Sequence, residues 1–175
     1  MTLIPGTHSV YRLTARTSYH ELKLFTEPVP KPPPHEVLIK IKGIALNYRD
    51  FVISNSTYPF GAKHNLVPCS DDAGEVVAMG NSVSEFQIGD SVIRIFDLKH
   101  LYGPRLHENQ GQGAAYDGVF REYVTLPEYS VTKIPKGSEL SWAEMASLVC
   151  AGVTAWNTLF GNIPMRPGQT VLFKV

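Results

Sequence analysis

The chain has 175 residues, 43% hydrophobic and 18% charged, enough for one sizeable core and too few for two full-sized domains. Its 16 Lys and Arg balance 16 Asp and Glu, so no broad field of either sign recruits nucleic acid or an anionic membrane. No apolar run approaches the ~20 residues of a membrane span, and the N-terminus MTLIPGTHSVYRL lacks the basic-then-apolar order of a secretory signal.

Two cysteines far apart, Cys69 and Cys150, make no disulfide framework, so a reducing cytoplasm is the expected location. The 13 prolines and 14 glycines predict many turns and short strands rather than a helical bundle. Ser9 to Leu13 and Glu21 to Thr26 read as two short strands around a polar turn. Glu27 to Pro34 (EPVPKPPP) is too proline-rich for a sheet or helix interior and predicts an extended surface connection. Glu36 to Ile44 is the clearest strand, with Val37, Ile39 and Ile41 on one face and Leu38, Lys40 and Lys42 on the other. That alternation then stops, and a short helix is predicted from Asn47, with Asn47 as its cap. Ser54 to Leu66 is polar and turn-rich, a loop of the kind that shapes a substrate mouth.

The stretch from Pro68 to Asp90, PCSDDAGEVVAMGNSVSEFQIGD, organises the remainder. A strand over Ala73 to Met79 is closed by Gly80-Asn81, and Gly89-Asp90 turns the chain into a second strand over Ser91 to Phe96. Asp97 to Gly118 has no period, and a loop of that length is expected to be functional or mobile. Val119 to Leu126 and Ser130 to Ile134 return to strand on either side of Pro127. Ser141-Trp142-Ala143-Glu144 fits a capping box, followed by Met145, Leu148, Val149, Trp156, Leu159 and Phe160 at helical spacing, with Gly161 as the stop. Gln169 to Val175 begins another strand, inside which the sequence ends.

These blocks resemble, in order, the signatures of the medium-chain dehydrogenase/reductase superfamily. The Pro68–Asp90 stretch is similar to its G-[HE]-E-x-A-G-x-V-x-x-V-G and G-D-x-V, and Asp117 to Val124 to its G-x-[FL]-A-E-Y. Ala146 to Leu159 is similar to its A-A-x-L-x-x-A-G-x-T-A-W helix, and Pro167 to Leu172 to P-G-[ED]-x-V-L, the first strand of its nucleotide-binding domain. Ala45-Leu46-Asn47-Tyr48-Arg49-Asp50 resembles the G-L-N-[FY]-R-D of the zinc-free quinone oxidoreductase and enoyl reductase branch. The resemblance implies a mainly β fold with short helices. A GroES-like, partly closed β-barrel would span residues 1–140, and a connecting helix with the first strand of an absent Rossmann domain would span 141–175.

Zinc-dependent members place ligands where this chain has Ala45, Ser70-Asp71 and Cys150, so the resemblance implies no metal. His64, His100 and His107 sit in loops without metal spacing. The family's G-x-G-x-x-G turn does not occur, and Gly111-Gln112-Gly113 follows no predicted strand, so no cofactor-binding residues are expected. NADP(H) enters only through a longer parent chain. The helix and strand of 141–175 are expected to be covered by self-association, as a homodimer.

Asn47 can cap its helix or hydrogen-bond a substrate carbonyl, and Tyr48 can pack or donate a proton. Asp71 and Asp72 form adjacent carboxylates suited to structural hydrogen bonding or to acid–base work. These four are the candidate catalytic residues. Tyr58, Tyr102, His107 and Tyr116 lie on mouth-lining loops and are the candidate contacts for a small apolar substrate. The resemblance implies the substrate domain of an NADPH-dependent reductase of an activated alkene or quinone, unable to transfer hydride alone. Two alternatives stay open: a cofactor-independent isomerase, dehydratase or cyclase on the same scaffold, and a non-catalytic module that pairs with a relative.

Overall fold

The computed structural model describes residues 3–98, 100, 102–103 and 111–172. Strands β1 (Thr7–Leu13) and β2 (Leu22–Pro28) pair as an antiparallel hairpin. Strands β3 (Glu36–Ala45), β4 (Asp71–Met79), β5 (Ser91–Arg94), β6 (Tyr123–Pro127) and β7 (Val131–Lys133) form a second antiparallel sheet in the order β6-β3-β4-β5-β7. The hairpin docks against this curled sheet through bridges from Val10 to Arg121 and from Leu13 to Leu66, giving the partly closed barrel that was expected. Helix α1 (Tyr48–Ser54) follows β3, and since β3 and β4 run antiparallel with Ala45 opposite Asp71, the segment after β3 and the segment before β4 meet at one end of the barrel.

The alternation along β3 decides the core. Val37 and Ile39 enter one cluster with Val76, Val92, Val124 and Leu126, and Ile41 packs at its margin. The opposite face is less polar than Lys40 and Lys42 suggested. Leu38 is buried with Val77 and Tyr123 in a second cluster, because β6 and the N-terminal segment cover that side. Strand β6 starts four residues later than the pattern predicted. Val119 and Phe120 instead donate to the carbonyl of Pro68, at 3.0 and 3.1 Å, and Phe120 accepts from Tyr11, so this segment ties the loop before β4 to the hairpin.

His8 fastens β1 to β6. Its ring is 4% exposed, and its Nδ1 accepts the Tyr123 backbone N–H at 3.1 Å, which requires a neutral imidazole with the proton on Nε2. Burial, with the Arg121 charge adding to it and Glu122 and Glu27 opposing, holds His8 below its ordinary value of 6.5. The native state therefore binds this proton more weakly than the unfolded chain does. The contribution is full above 6.5 and declines as pH falls from 6.5 toward the depressed native value. Urea midpoints measured across that interval should fall with pH, and His8→Asn should flatten this component while leaving the carboxylate-driven loss at lower pH.

The predicted helix from Ser141 is present but interrupted. Ser141 caps α2 (Trp142–Ser147) as a full capping box, Glu144 N–H donating to Ser141 Oγ at 3.3 Å and Ser141 N–H to Glu144 Oε2 at 2.8 Å. A π-turn over Leu148–Gly152 then precedes α3 (Val153–Phe160). Met145, Ala146 and Val149 are buried, the first two against Ala73 of β4. Farther on the apolar face is open: Trp156 is 68% exposed and stacks only loosely on Phe160, ring centroids 4.7 Å apart. Val171 and Leu172 are not in a strand, and residues 173–175 of the expected last strand lie outside the described residues.

Candidate active site

The barrel end beside α1 is built around the turn before β4. Cys69 has φ +67°, left-handed backbone that is uncommon for a residue with a Cβ. Gly113 and Gly118 make that turn possible by packing against it. A Cβ on Gly118 would lie 1.9 Å from the Cys69 carbonyl oxygen, and one on Gly113 2.6 Å from the same atom. Asp117 latches the turn from outside, accepting from Val67 N–H at 3.0 Å and from Lys63 Nζ at 2.7 Å.

A pocket of about 250 Å³ opens between this turn, α1 and the hairpin. Leu13, Leu22, Leu46, Phe51 and Phe120 supply apolar walls, and Tyr19 stands at the hairpin side. The polar groups on its lining are few: Asn47, Asp50, Ser54 and the Cys69 thiol. Ser54 is spent locally, donating to the Phe51 carbonyl at 2.8 Å. Asp50 closes half of a capping box, its Oδ2 accepting the Asn47 backbone N–H at 2.9 Å. Asn47 is the helix cap, its side chain set toward the Asp50 backbone N–H as the other half of that box. Asn47 Nδ2 and Asp50 Oδ1 are both buried without a hydrogen-bond partner among the described residues. Burial pushes the Asp50 carboxyl above its ordinary range; the Asn47 N–H, Arg49 and the Cys69 backbone N–H pull it back, and Asp71 adds to the rise. Burial likewise pushes the Cys69 and Cys150 thiols up, which leaves both poor nucleophiles.

Among the candidate catalytic residues, Asn47 lies on this wall. Tyr48, the next residue, is 81% exposed and does not line the pocket, its ring 6.2 Å from that of Phe51. The two aspartates are not a pair, because neighbours on a strand point to opposite sides. Asp71 accepts from Ser70 Oγ at 2.5 Å and from Cys150 N–H at 3.1 Å, pinning β4 to the π-turn. Asp72 faces the barrel interior and holds the buried Arg94 guanidinium. Tyr58 sits under Arg49, which donates to its hydroxyl at 3.2 Å and to the Gln112 carbonyl at 2.8 Å. Tyr116 bridges to Gln112, Tyr102 is exposed, and His107 lies outside the described residues. Asp50 is the residue sequence reasoning passed over. Arg49, beside it in sequence, turns toward Tyr58, since successive helical residues diverge.

Neither implied prosthetic group finds a ready cradle in these residues. No three His, Cys, Asp or Glu side chains among the described residues come together as a metal set. At the positions equivalent to zinc ligands, Ala45 has no donor atom, Asp71 is engaged on both oxygens, and the Cys150 thiol is held protonated. Gly111 to Gly113 forms a turn bridged from Gln112 to Tyr116, not the strand-to-helix junction that cups a pyrophosphate.

The curled antiparallel half-barrel is the GroES-like architecture of the medium-chain dehydrogenase/reductase superfamily. Comparison with known proteins agrees: residues 33–136 match the family model of the alcohol dehydrogenase GroES-like domain, and the chain belongs to that family. It is 41% identical over 143 residues to a zinc-type alcohol dehydrogenase-like protein of Schizosaccharomyces pombe, covering 79% of this chain and 41% of that protein. The structure superposes with a TM-score of 0.80 on an NAD-dependent alcohol dehydrogenase, at 30% identity, covering 91% of this chain and 48% of the other. It superposes at 0.76 on an acetophenone reductase from Geotrichum candidum, where 24% identity, with 90% and 48% coverage, speaks for the fold alone. The chain thus spans less than half the length of each of these relatives. The described residues include no helix long and apolar enough to cross a membrane.

Proposed function

We propose that this chain is the substrate-side domain of a zinc-free reductase of activated alkenes or quinones, and that it binds no dinucleotide by itself. The observation that supports this reading is the pocket beside α1. Its walls are mostly apolar, with few polar groups among them, and no three metal-ligating side chains converge there among the described residues. NADPH, when bound in the longer relatives' arrangement, supplies the hydride, and the domain's own share is binding, orientation and exclusion of water. In this reading Asn47, on the pocket wall, holds a substrate oxygen, and the exposed Tyr48 beside it in sequence is available to a second surface.

Two measurements on the purified 175-residue chain test the reading. Protein grown with added zinc and then dialysed should retain far less than one zinc per chain. Titration with NADPH, followed by its fluorescence, should show no saturable binding. Stoichiometric zinc would remove the zinc-free assignment, and tight saturable NADPH binding would overturn the claim about the isolated chain. The raised Asp50 carboxyl favours one second reading, acid–base isomerisation or dehydration without a cofactor. Turnover of an apolar enone by the chain without nucleotide would select it.

A further inference from the structure

We propose that the buried corner of the barrel around Arg94 and Arg121 holds a small monovalent anion of the chloride class, seated against Arg94 Nη1 and Nη2. Arg94 has no side-chain exposure, and its Nε engages Asp72. Both Nη nitrogens are buried without a hydrogen-bond partner among the described residues. A guanidinium cannot shed its proton to escape that situation, and a donor left unmade in the interior costs its full desolvation, more when it is charged.

Charge points the same way. Two guanidiniums meet one carboxylate here, because the other acids nearby are committed elsewhere. Arg12 holds Glu27 and, at 3.4 Å, Asp117, which Lys63 also reaches at 2.7 Å. Asp71 leaves β4 on the opposite side, toward Ser70 and the Cys150 N–H. Arg121 is left with its Nε on the Gly118 carbonyl at 3.0 Å and with no ion pair among the described residues. Burial and then the Arg94 charge bring its pKa down to about 10, which leaves it a cation at neutral pH. A water at Arg94 would satisfy the free donors and leave a positive charge uncompensated, whereas a monovalent anion does both. A divalent oxyanion would overshoot that charge and is costlier to strip of its water. A cavity of about 300 Å³ between β1, β3 and residues 120–122 is lined by Arg121 and by Ile44, the cross-strand partner of Asp72, and gives an ion its way in.

Arg94, Asp72 and Arg121 are absent from the lining of the α1 pocket, so the test stands apart from the substrate reading. Thermal and urea melts of the 175-residue chain are run as sodium chloride replaces sodium fluoride at constant ionic strength. Fluoride is the comparison because its hydration water is harder to remove. Stability should rise with chloride, each tenfold step beyond the dissociation constant adding about 1.4 kcal/mol. Bromide should act likewise. Arg94→Met should lose the halide dependence, and Asp72→Asn should bind chloride more tightly, because the corner gains positive charge. Crystals of the unaltered chain soaked in bromide and read at the bromine absorption edge should show the ion within hydrogen-bond reach of Arg94 Nη1 and Nη2, whatever the variants do. The proposal is overturned if stability follows ionic strength alone, if Arg94→Met keeps the chloride response, or if the bromide-soaked crystals hold only water at Arg94.

Discussion

Asp72→Asn is expected to destabilise the chain more than Arg94→Met, although the two residues form one ion pair. Both are buried in the barrel, Arg94 with no side-chain exposure and Asp72 with 2%. Arg94 Nε engages Asp72, while Nη1 and Nη2 are buried without partners among the described residues. Arg121 lies close enough that burial, with the Arg94 charge second, brings its own pKa down to about 10. Asp72 is therefore the carboxylate that compensates a corner already rich in positive charge. Without it, Arg94 cannot shed its proton, and an uncompensated buried charge costs about 3–5 kcal/mol. Removing Arg94 has a different consequence. Burial already pushes the Asp72 carboxyl up against the pull of Arg94, so the orphaned acid takes a proton and becomes neutral. Arg121 is relieved at the same time. The loss should then be about half as large, and Asp72→Leu combined with Arg94→Met should return to within about 1 kcal/mol of the starting stability. Urea midpoints of the two single variants and the double variant decide it. Equal losses, or a double variant as weak as Asp72→Asn, would show that the pair is not the source of the cost.

What could be read in advance was whatever local chemistry dictates. The two faces of β3, the cap position of Asn47 and the Ser141–Glu144 box each depend on residues within a few positions, and each recurs in the structure. The family resemblance carried the barrel itself, because several weak signatures stood in one order. Contacts between distant segments were not legible. Val119 and Phe120 have the composition of a strand, but their partners are Pro68 and Tyr11, and nothing near them in sequence says so. Helical spacing at Trp156 and Phe160 marks an apolar face without naming what covers it. Adjacency left Asp71 and Asp72 open to structural hydrogen bonding or acid–base work, and strand alternation sends them to different neighbours, the π-turn and Arg94. Asp50 needed the structure, since its neighbour Arg49 is occupied elsewhere and leaves it at the pocket.

Gly118→Ala should be the most damaging single methyl that can be added to this barrel end. The segment from Pro68 to Cys69 and the segment from Asp117 to Phe120 are held carbonyl to N–H: Gly118 donates to Val67 at 2.6 Å, and Val119 donates to Pro68 at 3.0 Å and Cys69 at 3.1 Å. A Cβ on Gly118 would stand 1.9 Å from the Cys69 oxygen and 2.5 Å from the Pro68 oxygen. Both obstacles are backbone, so no rotamer change relieves them, and the two segments must part. Separation breaks those three bonds, releases the left-handed Cys69 turn and opens the floor of the pocket. The expected cost is roughly 3 kcal/mol, the upper end for overpacking in a well-packed site. Gly6→Ala is the matched control, since a Cβ there meets nothing within 4 Å. Thermal melts should leave Gly6→Ala near the parent and move Gly118→Ala far below it. A residual fold of the latter should also show displaced backbone amide signals at Leu46 and Phe120, because the same turn carries both stability and the pocket wall. Unchanged signals there at full stability would mean the two segments can separate without disturbing the pocket, and the turn would then not be what positions it.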